Sequence, residues 1–176
     1  ALLERLLTAT LGLDPVGVVA HTYVAVTVEE VVKLSPLLLL LLVARRRVRR
    51  LASVDFLLLA AASGAGLQLA ERLLTQVALG ASDLSRTDGR LLPGGSVIRD
   101  VEGTVLAVYS GHAVTTGLIG AALGLAIVGR GGWLWSLPLL AGTLVVLEHL
   151  NFNAQAANAE LHAASGVLHT LLGGGH

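Results

Sequence analysis

Four stretches of this chain, roughly residues 16–44, 53–79, 104–128 and 133–152, stay mostly apolar for about 20 residues or more. That is the length an α-helix needs to cross the hydrocarbon core of a bilayer, about 20 residues. Only 14% of the 176 residues are charged and 54% are apolar, against about 25% charged in an ordinary soluble domain. The mean hydropathy is +0.76. A soluble domain of this length has too little interior to hide so much Leu, Val and Ala, so the bilayer is the natural solvent. The fold class that follows is all-α: a polytopic membrane helix bundle with four to five spanning helices.

The remaining segments fit around these helices. Residues 1–15 are too short to span and read as an interfacial segment or as the tail of a preceding helix. The first stretch runs from about Val16 to Ala44 and is expected to break at Ser35-Pro36, where proline disturbs the preceding turn. Residues 80–103, GASDLSRTDGRLLPGGSVIRDVEG, are polar and Gly-rich and form an outer loop. A weaker stretch, about Ala154 to Leu172, lies on the surface or packs as a fifth span. Residues 16–172 then form one transmembrane domain, and 173–176, GGGH, a flexible end.

Orientation follows from the placement of basic residues, which concentrate on the cytoplasmic side. The run RRRVRR at 45–50 puts the first connection in the cytoplasm, and Arg130 puts the third there too. In loop 80–103 the arginines are mixed with acids: Arg86, Arg90 and Arg99 among Asp83, Asp88, Asp100 and Glu102. Trp133 and Trp135 mark an interface. The expected location is a bacterial plasma membrane, with the lipid bilayer as the first partner. A formal net charge of zero gives no sign of nucleic-acid binding. The absence of cysteine excludes disulfides, thiolate metal sites and a cysteine nucleophile.

Against this apolar background the ionisable residues carry the information. Each costs about 2.5–3.5 kcal/mol within a spanning helix, so it is normally turned to a bundle interior or a water-filled cavity. Four sets stand out. Glu29-Glu30-x-x-Lys33 places a lysine one turn from either carboxylate. One glutamate can pair with Lys33 while the other serves as a base. Glu71 follows Gln68 by three residues and adjoins Arg72. His112 lies in YSGHAVTTGLIGAALG, with Thr116 at i+4 and a run of small residues suited to close helix packing. His149 and Asn153, in EHLNFN, share a face. With a helix starting near Thr104, Glu71 and His112 are each about 8 residues from their outer helix ends and Glu29 about 13. At about 1.5 Å per residue, the sets fall in one outer layer of the membrane. His21, His162 and His169 read as structural.

The order of these motifs resembles the PrsW family of intramembrane proteases and, beyond it, the CAAX-protease and bacteriocin-processing group. The matching segments are EEVVK (29–33), GLQLAE (66–71), Arg99 ahead of GHAVTTGLIG (111–120), and HLNFN (149–153), across roughly residues 20–155. The resemblance implies membrane-embedded Glu and His that activate water against a peptide bond, with a metal in the PrsW family. It implies a membrane-anchored protein substrate, and further membrane proteins as partners. On this reading Glu29, Glu30, His112, His149 and Asn153 are catalytic, with Lys33, Glu71, Thr116 and Arg99 in support. A Zn2+ version would take His112, His149 and a glutamate, Glu71, as ligands. Two alternatives stand beside the protease: a small transporter or proton relay, which also needs buried Glu and His, and an inactive family member serving as an assembly subunit.

Overall fold

The computed structural model describes residues 2–14, 20–48, 50–78, 95–99, 102–103 and 105–156. In chain order these form α1 (Leu2–Thr10), a π-helical turn (Ala20–Val24), α2 (Ala25–Val43), α3 (Arg45–Val48) and α4 (Ser53–Ala78). There follow β1 (Ser96–Arg99), β2 (Val105–Tyr109), α5 (His112–Val128), a 3₁₀ turn (Gly132–Trp135) and α6 (Ser136–Ala156). Among the described residues, two helical segments are long and apolar enough to cross a membrane, Ser53–Leu74 and Gly132–Ala154, and His112–Val128 is a shorter apolar helix. The architecture is all-α but for the β1–β2 hairpin. The weaker stretch expected at 154–172 lies mostly outside the described residues, as do 80–94 of the expected outer loop.

The chain divides into two compact units. One comprises 1–32, 96–109 and 142–176; the other comprises 33–95 and 110–141. The helix α2 runs without interruption through the boundary, leaving Glu29 and Glu30 on one side and Lys33 on the other.

The second unit is held together by α4 and α5, which pack antiparallel through small residues. A methyl group added at Gly120 would collide with Ala60 and the Phe56 carbonyl. One added at Gly124 would meet Ser53 and Phe56, and one at Gly64 would run into the carbonyl of His112. Lipid supplies no hydrophobic drive between apolar helices, so close backbone approach is what holds such a pair. The opposite face of α5 carries exposed Val114, Leu118, Leu125 and Val128, the side suited to acyl chains. Around Phe56, which is fully buried, Leu37 of α2, Val48 of α3 and Ala60 of α4 form a core with Leu40, Leu41, Leu51, Leu123 and Ile127 at its edge.

Two expectations about local structure are corrected. Pro36 does not break α2, which is continuous from Ala25 to Val43. Pro36 removes the N–H that would bond the Val32 carbonyl, and the next carbonyl, that of Lys33, accepts from Ser63 Oγ at 2.6 Å. The third apolar stretch does not begin as helix at Thr104. Val105–Tyr109 is β2, paired antiparallel with β1 from Ser96↔Tyr109 to Arg99↔Val105, with a register irregularity at Ile98/Arg99. The last residues of the expected polar loop, 96–99, are therefore strand. Gly111, at φ 92°, turns the chain from β2 into α5, a conformation that suits glycine and few other residues.

In the first unit, α1 packs against the π-helical turn, and β2 packs against α6 through Tyr109. The Tyr109 ring stacks on His149 with centroids 4.9 Å apart, and Phe152 lies 5.4 Å away.

Candidate active site

The first unit gathers Glu29, Glu30 and His149. On α2 the two glutamates are adjacent, so their side chains point about 100° apart around the helix, yet both reach one imidazole. His149 Nδ1 lies 2.8 Å from Glu30 Oε1 and Nε2 lies 3.2 Å from Glu29 Oε2. His149 and Glu30 are buried, while the Glu29 side chain is 26% exposed. Tyr109 covers the face of the ring. Asn153 is half-buried, one turn beyond His149 on α6.

This arrangement has a definite electrostatic content. A carboxylate only accepts, so Glu30 fixes the ring proton on Nδ1. In the neutral imidazole, Nε2 then points a lone pair at the Glu29 carboxylate. Two acceptors facing each other across 3.2 Å call for a cation at that place, either the second ring proton or a metal ion. Two ligand atoms on one tetrahedral Zn2+, each bonded at about 2.0–2.1 Å, stand about 3.3 Å apart. A carboxylate on one ring nitrogen is also the usual arrangement behind a metal-bound histidine. Glu29 and His149 thus fit two of the three protein ligands of a catalytic zinc site.

The second unit gathers Lys33, His112 and Glu71. His112 is the first residue of α5, not a residue two turns into a helix as the sequence suggested. Gly111 sets its backbone, and Thr115 Oγ1 donates to the carbonyls of Gly111 and His112 at 3.1 and 3.3 Å. Lys33, 1% exposed, brings Nζ to 2.9 Å from His112 Nδ1. Glu71 Oε2 lies 3.1 Å from Nε2. Spacing pointed to a partner for Lys33 on its own helix; the structure also places beside it the histidine 79 positions away. Thr116 is fully buried at the α4–α5 contact, where its hydroxyl packs on Gly64. Arg99 is the last residue of β1. His162 and His169 lie outside the described residues.

The two clusters carry six of the residues that the motif order singled out, Glu29, Glu30, Lys33, Glu71, His112 and His149. The model of the PrsW family intramembrane metalloproteases matches residues 1–173, nearly the whole chain. The chain belongs to the PrsW family. No curated protein and no solved structure matches it. As a PrsW family member it sits in a membrane, which accounts for the outward-facing Leu and Val of α4 and α5.

Two residues at these clusters escaped the sequence reading. Tyr109 was assigned to a helix, although it sits three residues before His112 in YSGH. Gly64, in SGAG, is the seat for the His112 carbonyl; the signal was a glycine one helical turn before Gln68 in an otherwise well-formed helix, where glycine is unfavourable.

Proposed function

We propose that the protein is an intramembrane endopeptidase that hydrolyses a peptide bond of a membrane-anchored protein. The observation that carries this reading is the clasp of His149 between Glu30 and Glu29, with Nδ1 committed to Glu30 and Nε2 turned to Glu29. Peptide hydrolysis needs a base for water, a group for the oxyanion and a proton for the leaving amine.

Glu30 holds the ring of His149 through Nδ1–H. His149 Nε2 and Glu29 Oε2 are the atoms that would hold Zn2+. When bound there, the ion would acidify a water and polarise the scissile carbonyl. Glu29 is the base: it is the more open carboxylate, and it takes a proton from the attacking water and returns it to the leaving amine. Asn153 donates from its amide to the oxyanion. Tyr109 walls off one face of His149. His112, flanked by Lys33 and Glu71, supplies the second polar group. In this reading α2 is a further span, and residues 45–50 are cytoplasmic.

The test is cleavage of a membrane-anchored reporter by the full chain in proteoliposomes. Product ends are read by mass spectrometry before chelation, after it, and after Zn2+ is restored. The reading requires one internal cut, lost on chelation and recovered with metal. A reporter left intact under all three conditions would remove it.

A further inference from the structure

The hairpin beside His149 presents an unfinished edge. Among the described residues β1 pairs with β2 alone. The outer edge of β1 therefore carries backbone N–H and C=O groups that no neighbouring strand takes up. Natural sheets guard such edges with charge, proline or a bulge. Here the guard stands at one end only: the register irregularity falls between Ile98 and Arg99, and Arg99 closes the strand. Ser96 and Val97 carry no charge, and Val97 is 51% exposed.

The unguarded end is the one at the His149 cluster. Ser96 stands across from Tyr109, whose ring stacks on the His149 imidazole with centroids 4.9 Å apart. Glu30 and Glu29 reach that imidazole at 2.8 and 3.2 Å. Hairpin, histidine and both glutamates belong to one compact unit. A peptide bond inside a spanning helix has its N–H and carbonyl engaged along the helix, so a substrate must unwind where it is cut. Unwound backbone in hydrocarbon lacks hydrogen-bond partners and persists only in protein surroundings that supply them. An extended chain turns alternate residues to one side, and an edge strand meets these with matching donors and acceptors.

We propose that the Ser96–Ile98 edge of β1 receives the unwound segment of the membrane-anchored substrate as a third strand of the sheet. The inference rests on the protease reading and adds how the substrate is held: through its backbone, beside the glutamates and His149. Recognition then asks little of individual side chains. It asks for a segment that leaves the helix readily and extends, with glycine or β-branched residues rather than a run of leucine and alanine.

The test has two arms, both with the full chain in proteoliposomes. In the first, semisynthetic membrane-anchored reporters carry one N-methyl group at successive residues flanking the cut, the scissile nitrogen being left unmodified. Strand pairing predicts that every second position raises KM by about 3–10-fold, the net contribution of one hydrogen bond as a ratio, while the positions between change it little. In the second arm a benzophenone amino acid replaces Val97 in the Glu29→Gln, Glu30→Gln chain, which leaves the reporter uncut. It should crosslink to reporter residues next to the cut. The same group at Leu139, ten residues before His149 on α6 and 73% exposed, should not. N-methyl effects without the period of two overturn the inference. So does a Val97 probe that captures only lipid, a second copy of the chain or reporter residues remote from the cut. If the wild type cuts no reporter but the Val97 probe captures one stretch of its span, the protease reading fails and the docking edge stands.

Discussion

Glu30 Oε1 lies 2.8 Å from His149 Nδ1, joining residues 119 positions apart on α2 and α6, and it leaves the ring one nitrogen with which to act. The pair explains why a buried carboxylate is retained on an apolar helix. Glu30 orients the ring, and Glu29, beside it and more open, works at the other nitrogen. Outer carboxylates of this kind tune the affinity of histidine for metal.

Removing that carboxylate without changing shape should show this. Glu30→Gln should weaken Zn2+ binding by about 10–100-fold, the usual effect of losing such a partner. Equilibrium dialysis of the purified protein against graded free Zn2+ measures it. Unchanged affinity would mean that Glu30 does not orient a ligand.

Tyr109 should act through its ring rather than its hydroxyl. Stacked aromatic pairs contribute about 0.5–1.5 kcal/mol beyond burial. Tyr109→Phe should therefore keep near-wild-type cleavage, while Tyr109→Ala should lower kcat/KM by about 3–10-fold, the same energy as a rate ratio. Steady-state cleavage of the two variants decides it, and equal losses would point to the hydroxyl.

The α4–α5 contact should tolerate no added methyl at its crossing. Gly120→Ala meets Ala60 and the Phe56 carbonyl, and overpacking of this kind costs about 1–3 kcal/mol. Gly66→Ala, where nothing lies within 4 Å, should be neutral or slightly stabilising, since alanine is the better helix former. Thermal unfolding in detergent compares them; equal shifts would argue against close packing at Gly120.

The clusters were legible because charge in an apolar helix is expensive, so each of Glu29, Glu30, Lys33, Glu71, His112 and His149 advertised itself. Which residues pair was not legible. Spacing on one helix points to Glu29 or Glu30 for Lys33 and says nothing of His112, which packing brings to Lys33 Nζ. The α4 helix was readable almost to its ends because 26 continuous residues suit one element. The strand Val105–Tyr109 was not, since five apolar residues leading into a helix have no periodicity of their own. Pro36 misled because interior proline removes one backbone bond without always ending a helix, and α2 continues through it to Val43. Four to five spans were expected; among the described residues Ser53–Leu74 and Gly132–Ala154 are long and apolar enough, and α2 carries Glu29, Glu30 and Lys33 within 19 residues.

Orientation has its own check. A cysteine introduced at Ser85 should react with an impermeant maleimide on intact cells, whereas one at Arg46 should react only after permeabilisation. The reverse pattern would invert the assignment of the arginine run to the cytoplasm.

The adjacent carboxylates of α2 are central to the proposed chemistry. The most direct measurement is the single-turnover rate at which the Glu29→Gln, Glu30→Gln double variant cuts a membrane-anchored reporter in proteoliposomes. Loss of the base and of the group orienting His149 should lower that rate by at least about 10²-fold, with the protein still folded by circular dichroism. A double variant that cleaves at the wild-type rate would contradict the account.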